Sequence, residues 1–229
     1  MHAEAEQTPS PEADMPDLRP TRAHDARWAL ALTLIGFALS AWFATLSDGV
    51  HHDDDITHFQ MARWSWQQPA YLLDMWGRPG FTILYAPAAG ISWLAARIFS
   101  GLLVALTAWL AYRIATLLKV PYAWLVPALL WVQPLTFTLS FTTLTETATA
   151  FYLTLAIWLH LRGRFVASAA IISLTAVTRH EAVVLLVVWG IEYARRRRGP
   201  LAVFMLLWAP FAHHVLSALL IHEVPLLEM

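Results

Sequence analysis

Residues 162–198 read RGRFVASAAIISLTAVTRHEAVVLLVVWGIEYARRRR, and the number of times this stretch crosses a bilayer decides the fold of the whole chain. Residues 165–193 are apolar except for Arg179-His180-Glu181 in the middle and Glu192 at the end. If they form one span, the Arg162/Arg164 turn and the run Arg195 to Arg198 fall on opposite sides of the membrane. If they form two short helices that meet at Arg179, both basic clusters fall on the same side. Loops on the inner side of a membrane carry the excess of Lys and Arg, which selects the two-helix reading and puts Arg179 at the outer surface.

Working outward, each remaining apolar run approaches the roughly 20 residues needed to cross a bilayer. They lie at residues 28–47, 91–115, 122–140, 147–161 and 201–220. With the short pair they make about seven transmembrane helices in an all-α, polytopic protein. Starting from an inner N-terminus, the inner segments hold Arg22 and Arg27, Arg113 and Lys119, Arg162 and Arg164, and Arg195 to Arg198. Arg63, Arg78, Arg97 and Arg179 fall outside. A long first outer loop, residues 48–90, carries interfacial helices. No repeat and no inverted symmetry of the transporter kind is apparent.

Composition agrees. Of 229 residues, 58% are hydrophobic and 14% charged, well short of the charged share a water-exposed surface requires. A soluble enzyme is thereby excluded. The net charge of −1 gives no footprint for nucleic acid. The absence of cysteine removes disulfides, thiolate metal sites and thiol nucleophiles. Residues 1–27 are polar, acidic and proline-bearing, and are read as a disordered cytoplasmic tail. Residues 28–220 form the membrane module, and 221–229 a short outer tail.

The densest chemistry lies in His51-His52-Asp53-Asp54-Asp55-Ile56-Thr57-His58. Adjacent carboxylates suit a helix N-terminus, and residues 56–67 would then form an interfacial helix anchored by Trp64 and Trp66. The same residues supply nitrogen and oxygen donors for Zn²⁺ or Mn²⁺, so a divalent metal stays open as a cofactor. An Asp near the surface could also act as general base on an acceptor hydroxyl. Arg97 either snorkels to the headgroups or pairs with a phosphate. Glu146 either complements the dipole of its helix or joins the outer polar cluster. His213-His214 is a pair inside the last span that is pore-lining, packed or metal-binding.

Asp54-Asp55-Ile56-Thr57-His58-Phe59-Gln60-Met61-Ala62-Arg63, then Arg78-Pro79, Ala96-Arg97, Thr145-Glu146 and Thr178-Arg179, resemble in order the motifs of the GT-C superfamily of membrane glycosyltransferases. His52-Asp53-Asp54-Asp55 with His58-Phe59-Gln60 is similar to the acidic and His-Phe-Gln elements of its mannosyltransferases. The resemblance runs over about residues 28–220. It implies inverting transfer of a sugar from a polyprenyl-phosphate donor to a lipid, glycan or protein acceptor, on the outer face of a bacterial or archaeal cell membrane. By position Asp54 would be the catalytic base and Asp55 its acidic neighbour. His52, Arg78, Arg97, Glu146 and Arg179 would bind substrate, with Arg97 and Arg179 toward the donor phosphate. The sequence departs from the pattern in having Asp at position 55, where Glu is common. It also stops after about seven spans, where family members continue, so a fragment or a minimal member is expected. The rival readings are a metal-handling or other membrane transporter, and a non-catalytic truncated remnant.

Overall fold

The computed structural model describes residues 22–46 and 48–222, and every regular element among them is helical. The all-α expectation holds for these residues. Most of the segment read as an N-terminal tail, and nearly all of the C-terminal one, lie outside the described residues. The first helix begins earlier than expected. α1 spans Arg22–Thr45, since Asp25 sits in its first turn and Trp28 donates to the His24 ring at 3.0 Å, one turn back.

α1 and α4 (Trp93–Leu117) are long and apolar enough to cross a membrane. They run antiparallel. At one end Ala29 of α1 shares a buried cluster with Tyr112 and Ala115 of α4 and with Ala123. At the other, Ser40 packs so close to Gly101 that an added Cβ there would lie 2.8 Å from the serine hydroxyl. The third apolar run is not one helix. It breaks into a single turn at Ala123–Leu125, α5 (Val126–Trp131) and α6 (Pro134–Leu139). Pro134 has no N–H with which to continue the ladder and opens the second piece instead. Residues 201–220 divide likewise into α10 (Pro200–Met205) and α11 (Trp208–Leu220), with Pro210 in the first turn after the break.

α7 (Thr145–Leu161) and α8 (Phe165–Ala176) form an antiparallel pair joined at Gly163, whose φ of 74° makes the tight basic turn. The expected split around Arg179 is present. α8 ends at Ala176, one 3₁₀ turn spans His180–Ala182, and α9 covers Val183–Arg195. α9 returns along α8, with Tyr193 Oη donating to Phe165 O at 3.0 Å and Trp189 Nε1 to Ser168 Oγ at 3.1 Å. Its other side is bare: Val183, Val184, Val187, Val188 and Ile191 are each more than half exposed.

Two helices fill the segment read as an outer loop. α2 (Asp53–Trp64) starts three residues before the expected Ile56, because His52 caps it by accepting from Asp54 N at 3.3 Å. α3 (Pro79–Ile91) is a second helix of this segment, for which the sequence reading placed bounds only at residues 56–67; Pro79 sets its first turn. Phe59, Ala62, Phe81, Tyr85 and Ala89 of these two helices share one core with Ala96 and Leu103 of α4 and with Ala148 and Tyr152 of α7.

Candidate functional site

The polar groups that position the site are themselves buried. Asp55 is 1% exposed and binds the segment leading into α7. Its Oδ1 accepts from Thr143 N and from Thr143 Oγ1, both at 2.6 Å, and its Oδ2 accepts from His51 N at 3.1 Å. Asp55 is therefore a tether, with both oxygens committed. Nearby, Tyr85 Oη lies 2.8 Å from both Ser100 Oγ and Thr147 Oγ1, joining α3, α4 and α7.

A second joint sets the start of α3. Gly80 N donates to Val177 O at 3.0 Å, and Gly80 O accepts from Tyr152 Oη at 2.9 Å. A side chain at Gly80 would collide with Thr178 and with the Leu174 carbonyl. The close approach brings Arg78, two residues before Gly80, beside Arg179, two residues after Val177. Arg78 holds a left-handed backbone conformation, φ 58°, that turns the chain into α3. The preceding loop is fixed from α11, where His213 Nε2 lies 2.7 Å from Leu73 O.

These constraints enclose a cavity of about 80 Å³ lined by Asp54, His58, Trp76, Arg78, Thr145, Arg179 and Glu181. Asp54 and His58 are one turn apart on α2, so both present to the same space. Arg179 is neutralised from its own side of the cavity: its Nη1 bonds Glu146 Oε1, its Nε is 3.7 Å from Glu181, and Nη1 is 3.5 Å from Thr145 Oγ1. Arg78 instead lies against an imidazole, with Nη1 2.8 Å from His180 Nε2. Burial holds His180 below its ordinary pKa, and the Arg78 charge lowers it further, so the ring is neutral near pH 7 and does not itself cancel the Arg78 charge. The Glu181 carboxyl is held below its usual range by its own backbone N–H, with the Arg179 charge adding to this.

His58 is 7% exposed, and its ring packs on Phe81 at 5.3 Å. Its Nδ1 is buried without a hydrogen-bond partner. Leaving such a group unsatisfied costs about 1–3 kcal/mol. Burial lowers the His58 pKa; Asp54 opposes this and Arg78 reinforces it. Glu146 Oε2 is a further buried polar atom without a hydrogen-bond partner, while its Oε1 is on Arg179.

Of the residues singled out from sequence, Asp54, Arg78 and Arg179 come together at the cavity, and Glu146 reaches it through Arg179. Three do not. Asp55 is the tether described above. His52 is exposed and serves as the cap of α2. Arg97 is buried in α4 between Trp93 and Phe141, about 6 Å over each ring, and donates from Nε to Phe141 O at 2.7 Å, so it belongs to the packing of α4 against that loop and does not line the cavity. His58, Trp76, Thr145 and Glu181 complete the lining. Among them His58, Thr145 and Glu181 had a sequence signal, in His58-Phe59-Gln60, Thr145-Glu146 and Arg179-His180-Glu181, and Trp76 had none.

Among the described residues no three His, Asp or Glu side chains are grouped to hold a metal ion. His51, His52, Asp53, Asp55 and His58 do not fit the donor set proposed for Zn²⁺ or Mn²⁺, since Asp55 is occupied and His52 points to the helix cap. Comparison with protein-family models, with curated proteins and with solved structures finds no match for this chain.

Proposed function

We propose that this chain is a membrane glycosyltransferase that moves a sugar from a polyprenyl-phosphate donor to an acceptor hydroxyl at the outer face of a cell membrane. The observation that carries this reading is the convergence of one carboxylate, Asp54, and two guanidinium groups, Arg78 and Arg179, on a single polar cavity. The order of motifs from Asp54 to Arg179, similar to that of GT-C glycosyltransferases, supports it. A seven-crossing topology is supported by the bare apolar face of α9, and by Leu129, Val132 and Leu135, all strongly exposed in a region too apolar for water.

In this mechanism Asp54, about half exposed, takes the proton of the acceptor hydroxyl. The acceptor oxygen attacks the anomeric carbon of the donor. The bond from that carbon to the phosphate oxygen breaks, and its electron pair leaves with the polyprenyl phosphate. A single displacement inverts the anomeric centre. Arg78 receives the negative charge that develops on the leaving phosphate, since its neighbour His180 is neutral and a guanidinium fork suits phosphate oxygens. Arg179, already bonded to Glu146, orients the cavity wall. This gives Arg78 the phosphate role that sequence reading assigned to Arg97 and Arg179.

The test is sugar transfer in proteoliposomes with a short-chain polyprenyl-phosphate sugar. Asp54→Asn should abolish transfer with membrane insertion and thermal stability unchanged; transfer by this variant at the wild-type rate would sink the assignment.

A further inference from the structure

We propose that His58 is a ligand of the donor phosphate, closing the anion site opposite Arg78. This rests on the glycosyltransferase reading and deepens it. His58 lines a cavity whose other walls are charged, and its Nδ1 is buried without a partner. Phe81 fixes the plane of the ring, and the position four residues after Asp54 fixes its direction.

The charges around His58 explain why the site is poised for an anion. Asp54 and Asp55 lie on its own helix, Arg78 at the start of α3, Glu146 at the start of α7, and Arg179 and Glu181 in the turn after α8. Without ligand, burial and Arg78 together keep the ring neutral. A phosphate bridging Arg78 and His58 brings negative charge into contact with the ring and favours its protonation. Binding therefore takes up a proton near pH 7, and the imidazolium then donates to a phosphate oxygen.

The experiment is calorimetric titration of the detergent-solubilised full chain with farnesyl phosphate, in buffers of different ionisation enthalpy, with inorganic phosphate as a parallel arm. Wild type should bind farnesyl phosphate with net proton uptake at pH 7. His58→Leu, which keeps the packing on Phe81, should weaken binding roughly tenfold to a hundredfold, the usual range for losing a hydrogen bond to a charged group, and should abolish the proton uptake. His58→Asn should recover part of the affinity but none of the proton uptake. Wild-type affinity and proton uptake in a folded His58→Leu would overturn the role of His58; loss of binding in Arg78→Ala in that same case leaves the glycosyltransferase reading standing. If the wild type binds neither ligand, the phosphate site itself is overturned. If it binds inorganic phosphate as tightly as farnesyl phosphate, the assignment to a lipid donor is overturned.

Discussion

Arg78 and His180, 102 residues apart, meet with the guanidinium Nη1 2.8 Å from the imidazole Nε2. The contact joins the loop before α3 to the turn between α8 and α9. It pairs a permanent cation with a ring that stays neutral, so it orients the arginine without cancelling its charge.

Replacing Arg78 by glycine separates its backbone role from its side-chain role. A non-glycine residue at φ 58° costs about 1 kcal/mol relative to glycine. Arg78→Gly should therefore fold with unchanged or slightly raised thermal stability, yet lose binding of prenyl phosphate and sugar transfer. A large fall in the melting temperature would mean that the side chain holds the loop rather than the ligand.

Asp54 and Asp55 should part company under substitution. Asp55→Ala strands the buried N–H and hydroxyl of Thr143 and should cost about 2–4 kcal/mol, seen as a lower melting temperature in detergent. Asp54→Asn should leave the melting temperature within a degree or two and remove activity. The opposite pattern would exchange the roles of the two residues.

Gly80→Ala tests the joint that brings the two arginines together. The new methyl group meets the Leu174 carbonyl at 2.9 Å and the Thr178 hydroxyl closer still. Overpacking of this kind should destabilise by about 1–3 kcal/mol and reduce ligand affinity at the same time. Stability lost without any loss of affinity would show that the joint does not govern the spacing of Arg78 and Arg179.

Stability should fall as the medium is acidified through the ordinary histidine range. His58 and His180 are both lowered by burial, so the unfolded chain binds protons more readily than the folded one. Their contribution is fully present above about pH 6.5 and is lost progressively below it. Thermal unfolding between pH 7.5 and 5.5 measures this slope, and His58→Asn should flatten it. Glu181, whose value is also lowered, acts only at more acidic pH and does not enter this window.

The long helices were legible because an uninterrupted apolar run has few alternatives: α4 and α7 lie within two residues of where sequence puts them, and α1 differs by starting six residues earlier. The breaks at Pro134 and before Pro210 were visible as prolines, but sequence does not say whether a run bends or stops there. The bounds of α3 were not placed because an apolar segment beside Arg78 and Pro79 reads equally well as loop. At the site, the two-helix reading around Arg179 put the right charges at one end of the bundle. It could not reveal which side of a helix each faces. Arg97 was therefore assigned to the ligand when its ring neighbours hold it elsewhere, and Trp76, one of twelve tryptophans, carried no distinguishing mark.

The tether at Asp55 has a consequence for biogenesis. The carboxylate is made 88 residues before the Thr143 groups that satisfy it. Until they emerge it has no protein donor from that side, and an ionised carboxyl does not enter a dry core alone. The start of α2 thus stays hydrated while α3 and α4 are being made, and docks only when the segment before α7 arrives. One buried acid sets a sequence of events during synthesis, with the cavity closing late, after the helices that wall it have been delivered.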